Sequence, residues 1–395
     1  MKKHAAVCVT ALVCATQVHA QSSVTLYGII DEGLQFVTNN KNVVNGHNVG
    51  GRQYSLDSTN GINGSRWGMK GSEDLGGGLS AIFTLESGIN LNNGQLAQGG
   101  TMFGRQAFVG LSSSSLGAVT LGRQYDSIFY FVQPIATTGY LGSTSFSHPG
   151  DIDNLNNSLR LNNAIRYTSP NLRGLTFGAT WSLGGQPGNI TGGSGYNAGA
   201  AYSNGPLALG AAYEYFKNPT GTTPGTGFFT GNANGASILS GVLNSGYATA
   251  SSYQVITGGA TYRIGSALLG AAYSNVQYGN IAALRGNSAH FDVMDVGFRY
   301  QITPALLAGF GYSYTKGSAV DNGVGGTVGN QHFNQVAAIA DYFISKRTDF
   351  YSEASFQKAS GISSTGSAAV ANIGNLGDSS NQRQLQMRVA IRHRF

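Results

Sequence analysis

The stretch TPALLAGFGYSYTK, residues 303–316, sorts by parity: Leu306, Ala308, Phe310, Tyr312 and Tyr314 fall on one side and Gly309, Gly311, Ser313 and Thr315 on the other. A period of two marks a β-strand with one apolar and one wet face. The partition recurs in both directions. Val296, Phe298 and Tyr300 oppose Asp295 and Arg299, while Leu385, Met387, Val389 and Ile391 oppose Arg388, Arg392 and Arg394. Charge therefore collects on one face of the wall and oil on the other. Past the first twenty residues no apolar run approaches the roughly eighteen needed for a membrane helix, so a chain of this kind crosses a membrane only as a closed barrel. In a soluble barrel the apolar parity would point inward, and alternation alone does not tell the two apart.

About sixteen such stretches follow one another: 23–37, 61–71, 79–91, 102–112, 117–125, 161–169, 173–183, 195–203, 206–216, 252–264, 267–278, 290–302, 305–316, 332–344, 347–358 and 382–395. Their connections alternate between short and long. Short ones fall at 73–78, 112–117, 170–173, 204–205, 265–266, 303–304 and 345–346; long ones, rich in Gly, Asn, Ser and Thr, fall at 38–60, 92–101, 126–160, 184–194, 217–251, 279–289, 317–331 and 359–381. A soluble sandwich has no reason to segregate its loops in this way. The pattern predicts an all-β fold, a sixteen-stranded antiparallel transmembrane β-barrel with short periplasmic turns and long external loops.

Residues 1–20 read as a secretory signal: Lys2 and Lys3, a short apolar core from Ala5 to Ala15, then Val18-His19-Ala20. Residues 21–395 then form one domain. Both cysteines, Cys8 and Cys14, lie in the signal, which leaves no thiol for a disulfide framework. Charged residues are 10% of the chain, glycines number 59 and prolines 8, a composition suited to strands joined by glycine-rich turns. The formal charge of +6 loses Lys2 and Lys3 with the signal, and no basic run points to nucleic acid.

Several stretches resemble the general porins of Gram-negative outer membranes, in the branch found in Burkholderia, Bordetella and Neisseria. They are SVTLYGIID (23–31), SRWGMKGSEDLGGG (65–78), FGRQAFVGLSSSSLGAVTLGRQYD (103–126), NNAIRYTSPNLRGLTFGATWS (162–182) and the closing VAIRHRF. The resemblance implies a homotrimer of sixteen-stranded barrels in outer-membrane lipid and lipopolysaccharide, each with a water-filled pore for small hydrophilic solutes and ions. It also implies that the third external loop, 126–160, folds inward to narrow the pore, and that Phe395 belongs to the signal read by the barrel-assembly machinery. Loop 126–160 carries the apolar patch Ile128 to Ile135, poorly placed in solvent and reasonable against a wall.

A pore selects by width and by the field of its charged rings. Parity turns Arg66 and Lys70 inward beside Trp67 and Met69, Arg105 inward beside Phe108, and Arg166 inward between Ile165 and Tyr167. The family resemblance places a basic ladder on this wall, which Arg66, Arg105 and Arg166 match, with Lys70 near them. Arg123 shares the outward parity of Val119 and Leu121 and is expected at a subunit contact. For an opposing acidic side the loop offers Asp126, Asp151 and Asp153, without the Pro-Glu-Phe-Gly-Gly motif of the enterobacterial type. Asp31, Glu86, Glu214, Asp295, Asp341 and Glu353 are further lumen candidates that balance neighbouring arginines. The expected function is a general diffusion pore with mild anion preference; the alternative is a substrate-specific channel for a sugar or an anion, which would need aromatics lining the lumen. No catalytic, cofactor or metal constellation is expected: the histidines after the signal have no metal-ligand spacing and no phosphate-binding loop is present.

Overall fold

The computed structural model describes residues 23–45, 47–142, 144–218 and 241–395, so the expected signal segment lies outside the described residues. Nineteen strands are described: β1 (Ser23–Val44), β2 (His47–Asp57), β3 (Arg66–Gly76), β4 (Leu79–Gly88), β5 (Gln106–Ser113), β6 (Gly117–Gln124), β7 (Leu161–Thr168), β8 (Leu175–Ser182), β9 (Gly195–Asn204), β10 (Leu207–Lys217), β11 (Ala250–Ile264), β12 (Ala267–Ile281), β13 (Asn287–Thr303), β14 (Leu306–Gly317), β15 (Val320–Asp321), β16 (Thr327–Val328), β17 (Gln331–Phe343), β18 (Thr348–Gly361) and β19 (Arg383–Arg394). Strands β15 and β16 make a small separate hairpin. The others form one antiparallel sheet closed on itself, because β1 pairs with β19 over Ile29–Val37 and with β3 over Ser23–Ile29. Strand β2 pairs with the upper part of β1, so β2 and β3 share one position in the ring. The result is a closed sixteen-stranded barrel.

The sequence pattern places a loop at 38–60, whereas β1 runs on to Val44 and returns as β2. Val43, Val49, Tyr54 and Leu56 are exposed along this arm. Lone polar residues such as Asn39 and Asn40 interrupt its alternation, and a register shift between Val37 and Asn40 absorbs the irregularity.

The apolar parity faces outward. Met294, Val296, Phe298 and Tyr300 are exposed on the outside of β13 while Asp295 is buried within, and Met387, Val389 and Ile391 are exposed on β19 while Arg388 and Arg392 are buried. Among the described residues no helix is long and apolar enough to cross a membrane. One region departs from the simple rule. Near the long-loop end of β10 to β13 the inward residues Phe216, Tyr253, Tyr278, Phe291 and Val293 are apolar and fully buried.

What covers them is the segment 125–160, which turns into the bore. Asp126 opens it, accepting a hydrogen bond from the Phe129 amide at 2.8 Å and so capping the short helix Ser127–Phe131. Three short 3₁₀ turns and a wider one follow, two of them started by Pro134 and Pro149 at positions where the missing N–H costs nothing. Ile128, Val132, Ile152, Leu155 and Leu159 join the inward apolar residues in one core. Each such side chain contributes about 1.5–3 kcal/mol when fully buried.

The wall makes room for this segment with inward glycines. A Cβ at Gly210 would meet the Phe131 carbonyl at 2.1 Å, one at Gly270 the Tyr140 ring at 2.5 Å, one at Gly309 the Leu141 side chain at 2.3 Å and one at Gly311 the Phe146 ring at 3.0 Å. The glycine face of residues 303–316 is thus a bed for the segment that crosses above it. Hydrogen bonds pin the segment there. Arg299 Nη1 donates to the Tyr140 carbonyl at 2.8 Å, Gln335 Nε2 to the Ser145 and Ser147 carbonyls at 2.8 and 3.0 Å, and Tyr253 Oη to the Ile152 carbonyl at 2.7 Å.

Candidate functional site

Between the inward segment and the wall a cavity of about 440 Å³ remains, bordered by Arg66, Arg105 and Arg160 together with Asn63, Gln133, Thr138, Asn157 and Ser158. Among the described residues no carboxylate borders it. Each arginine arrives from a different element. Arg66 opens β3, Arg105 immediately precedes β5, and Arg160 ends the inward segment just before β7.

The three cations are unequally compensated. Glu86, buried on β4, accepts Arg105 Nε at 2.7 Å and Tyr125 Oη at 3.1 Å on one oxygen, and Tyr27 Oη at 2.9 Å on the other. Arg105 is therefore half of a buried ion pair. Arg66 and Arg160 instead donate to backbone carbonyls, of Gly64 at 3.0 Å and Ser158 at 3.3 Å. The guanidinium carbons of Arg105 and Arg160 lie 5.8 and 5.6 Å from the centre of the Tyr125 ring, a cation–π contact with each. Like charges gathered this way repel one another, and an anion entering the cavity relieves the repulsion.

Of the wall cations expected here, Arg66 and Arg105 border the cavity. Arg166 does not: its guanidinium stacks 3.8 Å from the centre of the Tyr130 ring and its Nε donates to Thr168 Oγ1, so the inward segment covers it. Lys70 lies four residues further along β3 than Arg66, nearer the tight-turn end, 5.6 Å from the centre of the Tyr27 ring. The three loop acids correct the expectation of an acidic side. Asp126 is consumed by its cap and by Asn154 Nδ2 at 2.6 Å; Asp151 accepts the amides of Asn156 and Ser158, both at 2.8 Å; Asp153 pairs with His148 at 2.8 Å. All three are buried and turned away from the cavity, held there by these partners. Arg123 lies on the outward side, donating to the Gly104 carbonyl at 2.8 Å and to the Asn162 side chain. Phe395 exchanges backbone hydrogen bonds with Gly28 at 3.1 and 3.2 Å and lays its ring over that glycine.

Of the other inward acids, two are matched to arginines, Asp31 with Arg388 at 2.9 Å and Asp341 with Arg392 at 3.3 Å, while Glu353 accepts Ser145 Oγ at 2.9 Å and Glu214 is buried without an arginine within ion-pair distance among the described residues, so the expectation that these acids balance arginines holds for only part of the set. Asp295 accepts the Thr137 amide and hydroxyl at 3.1 and 2.8 Å. Arg160 went unread in the sequence because parity assigns faces only within strands, and it sits one residue outside one.

His148 clamps the inward segment to the wall, its Nδ1 2.8 Å from Asp153 and its Nε2 3.4 Å from Asp295. Burial alone would lower its pKa, but the two carboxylates override burial and hold it up at about 10. Because the folded value lies above the ordinary 6.5, the clamp's contribution is fully present below about pH 6.5 and is lost as pH climbs through about 10. Burial, then the charge of Asp153, pushes Asp151 up to about 7, which adds a loss in the same direction between about pH 4 and 7. Single-channel recordings from pH 7 to 11 are expected to show open-state noise rising steeply near pH 10, and His148→Gln is expected to show that noise already at pH 7; a flat noise profile in the unmodified protein refutes the clamp.

Among the described residues no group of three or more His, Cys, Asp or Glu is placed to hold a metal ion. A family model described as Gram-negative porin matches residues 5–361. An outer membrane porin protein of Bordetella pertussis is 39% identical over 171 residues, which is 42% of this chain and 43% of that protein. Outer membrane porin protein 32 of Delftia acidovorans is 34% identical over 211 residues, 49% and 55% of the two. The chain spans about half the length of the curated relatives it matches. Among solved structures, an anion-selective porin from Comamonas acidovorans shares the fold at a TM-score of 0.70 and 24% identity, covering 95% of this chain and 100% of that one. The trimer form of OmpT, an outer membrane protein of Vibrio cholerae, shares it at 0.61 and 14% identity, over 95% and 99%.

Proposed function

The chain belongs to the Gram-negative porin family, and from that premise we propose that it is a general diffusion pore of the outer membrane, passing small hydrophilic solutes and ions with a preference for anions. Family and fold alike imply a channel rather than an enzyme. The observation that carries the anion preference is the cavity bordered by three arginines and no carboxylate. Solute passing the inward segment meets a fixed positive field, and among the described residues no carboxylate borders the cavity to offset it. The name of the Comamonas acidovorans protein points the same way.

In this reading segment 126–160 is the constriction loop, Arg66, Arg105 and Arg160 are its selecting residues, and Arg166 and Lys70 shape the field from behind and below. The family reading adds a homotrimer with Arg123 at the subunit contact, Phe395 in the signal for the barrel-assembly machinery, surrounding lipid and lipopolysaccharide, and a removed signal at 1–20. Planar-bilayer reversal potentials in a potassium chloride gradient test the selectivity: a potential of the sign set by chloride is expected, and firm potassium preference overturns it. Liposome swelling is expected to slow smoothly with solute size; saturable block by one sugar would make the pore substrate-specific instead.

A further inference from the structure

The sequence pattern leaves residues 359–381, between β18 and β19, as an external loop, yet the middle of that stretch folds into the bore. Ala369, Ala371 and Ile373 are fully buried. Register sets three inward glutamines side by side beneath it, Gln335 of β17 opposite Gln357 of β18, and Gln357 opposite Gln384 of β19. Gln357 pairs with Asn372 as a neighbouring strand would: its Oε1 accepts the Asn372 amide at 2.6 Å and its Nε2 donates to the Asn372 carbonyl at 3.1 Å. One residue on, the Ile373 amide donates to Gln384 Oε1 at 3.0 Å.

The same glutamines hold segment 125–160. Gln357 Nε2 also donates to Gln335 Oε1 at 2.7 Å, and Gln335 Nε2 is the group bonded to the Ser145 and Ser147 carbonyls. The two inward segments touch directly as well. The Gly150 amide donates to Asn372 Oδ1 at 3.2 Å, and a Cβ at Gly374 would meet the Thr144 carbonyl at 2.9 Å, so a glycine lets the 3₁₀ turn Gly374–Leu376 lie this close. Gln357 is fully buried, and its amide finds all its partners only while both segments are in place.

The turn lies at the edge of the passage. Asn375, exposed at its centre, borders the arginine cavity and also a second cavity of about 290 Å³ on the long-loop side, lined by Leu243, Asn244 and Asp378. A solute moving between the two cavities passes this side chain. An amide there narrows the way without adding a charge, so the positive field of Arg66, Arg105 and Arg160 keeps its strength.

We propose that Asn375 is a specificity-determining residue of the aperture, and that Gln357 and Gln335 are positioning residues that set it there by locking segment 363–379 to segment 125–160. The proposal rests on the pore reading above and adds a second jaw to the narrowing. Each jaw is held through the other, because the Gln335–Gln357 relay reaches the backbone of both.

The test is the reversal potential of the full-length protein in planar bilayers under a low-salt potassium chloride gradient. Asn375→Asp puts a carboxylate at the edge of the arginine cavity and is expected to lower the chloride-to-potassium permeability ratio about fourfold, the effect of one charge about 10 Å from the ion in water. Ser367→Asp, the same charge on an exposed residue of the same loop that borders neither cavity, is expected to shift the ratio by less than about twofold. Gln357→Leu keeps the bulk and removes the bonds; with the turn released, adding Asn375→Asp to it is expected to shift the ratio by less than about twofold from that of Gln357→Leu alone. Gln335→Leu cuts the relay one strand earlier, is expected to act in the same direction, and takes over this arm where Gln357→Leu does not fold. An Asn375→Asp ratio equal to that of the unmodified protein or of Ser367→Asp overturns the aperture role. The full shift persisting in the glutamine variants overturns the positioning role. The sign of the unmodified protein's own reversal potential judges the pore reading separately.

Discussion

Replacing Arg66 and Arg160 together with alanine is expected to lower the chloride-to-potassium permeability ratio about sixtyfold at low salt. A unit charge about 7 Å from a passing ion is worth about 0.6 kcal/mol in water, favouring the anion and disfavouring the cation by the same amount, so each charge removed shifts the ratio by about 1.2 kcal/mol. Two charges removed give about 2.4 kcal/mol, and the effect is expected to shrink in molar salt as screening shortens its range. Arg105 behaves differently because Glu86 holds it at 2.7 Å. Glu86→Gln frees its charge and is expected to raise the ratio, whereas Arg105→Gln combined with Glu86→Gln removes a neutral pair and is expected to leave the ratio near the starting value. Reversal potentials on these variants check the scheme. If the Arg66/Arg160 variant keeps its ratio, the field at the narrowing is set elsewhere.

The second large effect lies at the seam where the ring closes. Arg388 on β19 is fully buried and reaches Asp31 on β1 at 2.9 Å, Asp57 on β2 at 2.8 Å and the Tyr351 hydroxyl on β18 at 3.0 Å. One side chain thus ties four strands. Arg388→Ala leaves two carboxylates without their cation in a buried site, a loss of about 3–5 kcal/mol. A clear fall in the urea midpoint of the detergent-folded barrel is expected, and adding Asp31→Asn and Asp57→Asn is expected to recover part of it, because a buried amide costs less than a buried unpaired carboxylate. An unchanged midpoint in Arg388→Ala would mean that water reaches the seam.

How far these features could be read beforehand follows from the range of the forces behind them. Strand faces were legible because parity is local: Phe310 and Tyr312 against Gly309 and Gly311 requires no knowledge of the rest of the chain. The ring of sixteen and the contrast between tight turns and long loops were legible for the same reason. Arg160 and the three loop acids were not, since a residue in an irregular segment points where distant partners pull it. Asp151 illustrates the limit. Its carboxylate is fixed by amides five and seven residues on, a geometry that no spacing in the sequence announces. The glycine bed falls between the two cases, because Gly309 and Gly311 were visible as inward residues while the Leu141 and Phe146 that fill them lie far away in the chain.

The contacts that complete the ring join residues very distant along the polypeptide: Gln386 reaches Gln35 across 351 positions and Arg388 reaches Asp31 across 357. Bringing such ends together is entropically slow, and every neighbour pairing between them is available earlier. Until then the growing sheet has two bare margins, each a row of unpaired amides and carbonyls able to recruit a foreign strand. Ring closure is therefore the step at which a sticky ribbon becomes an inert cylinder, and the time spent before it sets the demand this chain places on whatever escorts it to the membrane.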